Sequence, residues 1–193
     1  MISLNIFSKC PYNGNPKTRL KDLLNKEERS FIALCMLTNI LDEVSNISND
    51  FKVTLWIYPH LKNNLFYDIK KKYKINIEQQ QGLSLCERMN NCLSLESSKY
   101  EQTILIGSDI PSLTKGIIMD AKDALLKKDI VIGPSTDGGF YLIGIKGSYE
   151  DFIDCMKPMN IESLKYNINS RSLDLELLKE LKDIDTPEDL LFI

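Results

Sequence analysis

Two apolar stretches of this chain each run into a polar turn that carries an acid. ILIGSDIPSLT at 104–114 delivers Asp109, and DIVIGPSTDGGFYLIGI at 129–145 delivers Asp137 with Gly138 and Gly139 behind it. A carboxylate at the end of a buried strand needs a cation or hydrogen-bond donors close by. An α/β sheet presents ligands at that carboxyl edge. A hard ion such as Mg²⁺ or Mn²⁺ takes one or two carboxylates and completes its shell with substrate phosphates, so Asp109 calls for a second acid. DIDTPEDL at 183–190 can supply it. Thr186 to Asp189 read as helix initiation, with a capping hydroxyl, a proline in the first turn and two acids at the positive helix end. That leaves Asp183 and Asp185 over, and Asp185 is the expected partner of Asp109 on a metal. Asp109 is equally suited to a local turn in which it bonds neighbouring amides.

The loop PYNGNPKTRL at 11–20 brings Lys17, Thr18 and Arg19 to the start of a short helix. Cationic side chains beside helix-start N–H groups suit a phosphate, although the same residues also suit an exposed helix surface. GxGxxG is absent, as are the P-loop patterns GxxxxGKS and GxxxxGKT. Gly138 and Gly139 permit close backbone approach to a ligand or a tight hairpin turn. The single histidine, His60, has no nucleophile or acid arranged with it and reads as a surface residue. Trp56, Met36 and Met89 fall on core periodicities.

With 193 residues and 43% hydrophobic content the chain can build one core, and a single domain over 1–193 is expected. A net charge of −3 provides no global field for nucleic acid or an anionic membrane, so phosphate binding must be local and the substrate small. Lysines clustered in KKKYK at 70–74 read as a solvated helix face. Five cysteines without a CxxC pair suit a reduced interior, and MISLNIFSK reads as a first strand, not a signal peptide. No stretch approaches the roughly 20 apolar residues of a membrane span. A cytoplasmic protein is expected.

The positioning elements follow from periodicity. Alternation predicts strands over 2–8, 51–58, near 75–78, 103–107 and 129–133, with a further apolar strand after Gly139. Spacing of three and four predicts helices over about 26–46 (burying Phe31, Leu34, Leu37, Ile40, Leu41 and Val44), over 61–74, around Leu85 to Leu93, and over 114–128. YEDFIDCM at 149–156 looks helical, 157–172 is ambiguous, and LDLELLKEL at 173–181 fits strand or helix. The alternation of strand and helix favours an α/β fold with a mostly parallel sheet covered on both faces.

Taken together, KCPYNGNPKTRL, QGLSLCERM, ILIGSDIPSLT, GPSTDGGFYLIG and DIDTPEDL, in that order from residue 9 to 190, resemble the DUF2064 family of glycosyltransferases, some of them associated with arsenosugar biosynthesis. The resemblance implies the GT-A fold of nucleotide-diphospho-sugar transferases, a mixed seven-stranded sheet that cytidylyltransferases and guanylyltransferases share. It implies Mg²⁺ or Mn²⁺ on Asp109 and Asp185, and a nucleotide held by Lys17, Arg19, Gln81, Gly82, Glu87 and Arg88. It further implies a substrate loop at Gly138 and Gly139, with Asp137 orienting or deprotonating an acceptor hydroxyl. The activity expected first is metal-dependent transfer of a sugar from a nucleoside diphosphate to a small acceptor. The second is nucleotidyl transfer with release of pyrophosphate, against which stands a first loop with one glycine, poorer than the LAAGxGxR-type loop of pyrophosphorylases. A third reading, from another class, is a nucleotide-binding or partner protein with reduced catalysis. The chain departs from the family pattern at Cys86, where glycine is usual before ERM, and at MNIES (159–163), where a Trp-Ser-Thr string is expected.

Overall fold

The computed structural model describes residues 1–12, 14–47 and 49–192; Asn13 of the first loop lies outside this set. Seven strands form one mixed sheet: β1 (Ile2–Lys9), β2 (Phe51–Tyr58), β3 (Asn76–Gln79), β4 (Gln102–Gly107), β5 (Ile130–Pro134), β6 (Phe140–Lys146) and β7 (Leu175–Leu177). Five helices cover it: α1 (Lys26–Ser45), α2 (Asn64–Tyr73), α3 (Leu85–Ser97), α4 (Lys115–Ala124) and α5 (Ile161–Ser170). The strand order is β3-β2-β1-β4-β6-β5-β7. All neighbours are parallel except at β6, which runs antiparallel to both β4 and β5. The crossover β4-α4-β5 is therefore present, with β6 inserted between its two strands. None of the described helices is long and apolar enough to cross a membrane.

Strand alternation sorts the core into two layers. Leu4 and Ile6 of β1 join Leu37, Ile40 and Leu41 of α1, Phe66 and Ile69 of α2, and Ile118 and Ala121 of α4 on one face. Phe7 points the other way, to Met89, Cys92 and Leu93 of α3 and Leu164 and Ile168 of α5. On this second face β1 also buries Ser3 and Asn5, which are satisfied by Glu96 and Trp56: the Ser3 hydroxyl donates to Glu96 Oε2 at 2.7 Å and Trp56 Nε1 donates to Asn5 Oδ1 at 2.8 Å. Four of the five helix starts carry a side-chain cap; Thr114 at the start of α4 makes none. Asn25 and Glu28 form a reciprocal capping box on α1, and the Ser84 side chain accepts from Glu87 N on α3.

Several expectations are corrected. Phe31 is 65% exposed, because the buried stripe of α1 is rotated to Ala33, Met36, Leu37, Ile40, Leu41 and Val44. YEDFIDCM is irregular; instead 161–170 of the ambiguous stretch is helical and LDLELLKEL yields the short edge strand β7. Cys86 and Cys155 are joined by a disulfide, although their sequence spacing carries no motif. Tertiary packing brings them together: Asn90, one turn beyond Cys86, clamps the Ile153 backbone from both sides, donating to its carbonyl at 2.8 Å and accepting from its amide at 2.9 Å.

Gly133 shows how closely the β5–β6 pair is packed. A Cβ there would overlap the ring of Tyr141, whose hydroxyl is pinned to the Lys179 carbonyl at 2.9 Å. Burial first, and the Asp120 charge second, push the Tyr141 hydroxyl up to about 12, so it stays a neutral donor. Gly133→Ala should destabilise the fold by about 1–3 kcal/mol through overpacking, read as a lowered urea midpoint with an unchanged slope.

Candidate active site

The carboxyl ends of β1 and β4 lie side by side at the place where the chain crosses over to β2 on one side from β1 and to β5 on the other side from β4. Ligands of open α/β sheets bind outside such a reversal. A cleft of about 520 Å³ opens there, lined by the ends of β1 (Phe7 to Lys9), β2 (Tyr58) and β4 (Leu105 to Gly107), by the turns after β4 and β5, and by Asp183 and Asp185 from the tail. Ser108 donates its hydroxyl to that of Ser8 at 3.1 Å, tying the two central strand ends together.

Three distant segments meet on one ammonium group. Lys17 Nζ lies 2.9 Å from Asp109 Oδ1 and 3.5 Å from Asp185 Oδ1, and it donates to the Ile184 carbonyl at 2.6 Å. Its side chain is 2% exposed. Arg19 Nη1 reaches the other oxygen of Asp185 at 2.7 Å from the solvent side. The main chain supports this meeting, since Ile184 N donates to the Asp109 carbonyl at 3.2 Å, and the Asp183–Asp185 segment is thereby held against the end of β4. Asp183 lines the same cleft. Burial first, then the Asp137 and Asp185 charges, raise its carboxyl above the ordinary range against the opposing pull of its own amide and of Lys17. Extra positive charge near Asp183 would relieve that cost.

The loop before Lys17 is shaped without a run of glycines. Gly14 is needed because a Cβ would meet the Cys10 carbonyl oxygen, to which its own amide bonds at 2.9 Å. Among the described residues of the loop, the left-handed positions are instead Asn15 (φ 47°) and Lys17 (φ 52°). Arg29 of α1 braces the loop from behind, with Nη1 donating to Asn15 Oδ1 at 3.1 Å and to the Pro16 carbonyl at 3.0 Å.

The base-side candidates divide. Arg88 lines the cleft, stacks at 4.0 Å on the Tyr58 ring and donates Nε to Gln80 Oε1 at 3.0 Å. Gln81 points elsewhere, lining a separate cleft beyond β3, while its neighbour Gln80 lines the active-site cleft. Strand alternation explains the exchange, because adjacent residues leave the edge of a sheet on opposite sides. Glu87 accepts from the Leu83 amide at 2.9 Å and so serves the start of α3, and the backbone of Gly82, at φ 133°, packs against that same turn. Neither Glu87 nor Gly82 lines the cleft. Asp137, Gly139 and Phe140 do line it. Asp137 Oδ1 accepts from the Ser135 hydroxyl at 2.6 Å and from Gly139 N at 2.8 Å, which makes it a shaper of the β5–β6 hairpin; Gly138 supplies the positive φ of 84°. Gln80, Tyr58 and Ser108 were not singled out from the motifs, and Asp183 was left over beside Asp185 without a role.

The family described as an uncharacterized protein conserved in bacteria, DUF2064, matches residues 43–159, more than half of the chain. The chain belongs to this family. Among curated relatives of this family member, 2-phospho-L-lactate guanylyltransferase of Methanocaldococcus sp. (strain FS406-22) is 32% identical over 186 residues, covering 90% of this chain and 74% of that one. The protein of the same name from Methanocaldococcus jannaschii is 31% identical over 187 residues, covering 90% and 75%. Among solved structures, a provisionally named nucleotide-diphospho-sugar transferase from Desulfovibrio desulfuricans G20 superposes with a TM-score of 0.84 at 24% identity, covering 96% of this chain and 82% of that one. A 4-diphosphocytidyl-2C-methyl-D-erythritol synthase from Anaerococcus prevotii superposes at 0.62 with 14% identity, covering 98% and 95%. The fold of the DUF2064 member is thus that of the nucleotide-diphospho-sugar transferases.

Asp189 holds the tail that carries Asp183 and Asp185. Its Oδ2 accepts from Asp185 N at 3.0 Å, Thr186 N at 2.7 Å and the Thr186 hydroxyl at 2.8 Å, and Lys182 pairs with Oδ1 at 3.0 Å. Burial alone would raise this carboxyl, but the two amides, Lys182 and the hydroxyl outweigh it and hold it well below the usual carboxylate range. A depressed carboxylate stabilises the fold above its unfolded pKa of about 3.9, and the contribution fades as pH falls through the lower folded value. Asp189→Ala should therefore cost about 1.5–3 kcal/mol at pH 7. The gap to wild type should narrow progressively below about pH 4, as measured by denaturant unfolding at each pH.

Proposed function

We propose that this family member is a nucleotidyltransferase. In this reading an oxygen of a small phosphorylated acid forms a bond to the α-phosphorus of a nucleoside triphosphate, the bond from that phosphorus to the bridging oxygen breaks, and pyrophosphate leaves. The observation that carries the reading is the match to 2-phospho-L-lactate guanylyltransferases across 90% of the chain. It favours nucleotidyl over glycosyl transfer, the activity expected first. Guanosine triphosphate is the donor proposed. The single glycine of the first loop is no objection, since Asn15 and Lys17 adopt the left-handed turns that glycines would otherwise provide.

The chemistry asks little of a general base. A phosphate oxygen is already anionic, so no proton need be removed from the nucleophile, and the turn-shaping bonds of Asp137 suit a role in positioning. The difficulty is bringing several negative charges together. Arg19, Arg88 and Lys9 line the cleft and Lys17 lies beside it, so fixed positive charge is available where negative charge gathers. Mg²⁺ or Mn²⁺ fits the donor chemistry, because two carboxylate oxygens already converge on one cationic atom. Among the described residues no group of three or more His, Cys, Asp or Glu could hold an ion unaided, so phosphate oxygens would have to complete the shell. Bound by Asp109 and Asp185, the ion would offset charge developing on the departing pyrophosphate. The Ser135 to Phe140 turn is the proposed seat of the phosphorylated acid, and the Arg88–Tyr58–Gln80 group that of the nucleotide base.

Incubation with Mn²⁺ and panels of nucleoside triphosphates with small phosphorylated acids should release pyrophosphate, most rapidly from guanosine triphosphate. Release of a nucleoside diphosphate from nucleotide sugars, without pyrophosphate from any triphosphate pair, would overturn the proposal in favour of sugar transfer. Asp109→Asn, which keeps an acceptor for Lys17 but removes the charge, should lower kcat/KM by about 10²-fold or more, with the melting temperature close to that of wild type.

A further inference from the structure

The cation that the two metal-side acids face in this structure is the protein's own. An ammonium has three N–H donors and no acceptor, and Lys17 has three oxygen partners: the Ile184 carbonyl at 2.6 Å, Asp109 at 2.9 Å and Asp185 at 3.5 Å. With its side chain 2% exposed, it has no surplus donor to offer a phosphate while these contacts last. We propose that Lys17 is a resident place-holder for the divalent ion: it occupies the position between Asp109 and Asp185 until metal and phosphates arrive together, and then transfers its charge to the phosphates.

Three physical consequences follow from the geometry. While Lys17 is seated, a divalent ion approaching the same two carboxylates meets a like charge at contact distance and finds Asp109 Oδ1 and both oxygens of Asp185 already engaged. Metal without phosphate is therefore disfavoured. Asp109 and Asp185 meanwhile stay side by side without mutual repulsion, because the ammonium between them offsets it, and the site is held in shape while empty. Finally, an incoming polyphosphate gives Lys17 an alternative anionic partner. Its departure and the entry of the ion then favour one another, and metal and nucleotide affinities are coupled. Arg19 remains on the outer oxygen of Asp185 at 2.7 Å and has no need to move.

This rests on the reading of the cleft as a nucleotide and metal site, so the deciding experiment uses metal alone. Free Mn²⁺ is followed by electron paramagnetic resonance during titration of the full chain without nucleotide. Wild type should bind weakly; Lys17→Met should bind at least tenfold more tightly; and the gain should vanish in the Lys17→Met/Asp109→Asn double variant. Should Lys17→Met fail to fold, Lys17→Gln, which retains a donor for the Ile184 carbonyl, carries the same comparison. Equal or weaker Mn²⁺ binding by the lysine variants would overturn the proposal, as would a gain that survives loss of the Asp109 charge. A failed pyrophosphate assay beside the expected Mn²⁺ result would count against nucleotidyl transfer and leave the place-holder role standing.

Discussion

Burying an ammonium demands oxygen partners, and that demand organises this molecule around the Lys17 side chain. The partners come from residues 109, 184 and 185, so a loop after the first strand, the end of the fourth and the C-terminal tail must all meet at one place. An unpaired buried charge would cost several kcal/mol, so the three segments constrain one another. The ion cluster is a joint of the fold as well as the centre of its cleft.

The sheet makes such a joint possible. Parallel β1 and β4 end side by side, and the chain leaves them in opposite directions, opening a crevice with no strand across it. The two hydrophobic layers fix the strands, and polar groups buried on the α3 face, Ser3, Asn5, Trp56 and Glu96, find one another and so hold register without leaving a dry polar atom in this group. On the opposite wall of the cleft the antiparallel β6 allows a hairpin where a crossover would otherwise be needed. Asp137 and Gly138 shape that hairpin into a turn facing the acids. Cationic loop, acid pair and turn thus reach the same edge by three different structural devices.

The cleft gathers fixed charge of both signs within a few ångströms, and the positions of these charges depend on supports remote from it. Arg29 braces the cationic loop from α1, and Asp189 ties down the tail from beyond it. Solved structures that share the fold at low identity carry a sugar-transferase name and a diphosphocytidyl-methylerythritol synthase name, in keeping with a scaffold whose chemistry is set by what its loops carry.

Local patterning determined the elements, because strand alternation and helical spacing are properties of neighbouring residues. The strands at 51–58 and 103–107, the long first helix and the glycine-marked turn after Pro134 were all legible from spacing. Asp109 was also visible, as an acid at the end of an apolar strand, and Asp185, as one of two carboxylates left over beside the cap in DIDTPEDL. Tertiary structure decided the rest, because contact between distant residues leaves no local signature. It chose Gln80 over Gln81 by the side of the sheet on which each emerges, turned Phe31 outward by a small rotation of α1, and joined Cys86 to Cys155 through packing of the segment clamped by Asn90. Above all it placed the Lys17 ammonium between the two acids. Sequence shows one cation and two carboxylates, whereas only the converging strand ends make them partners.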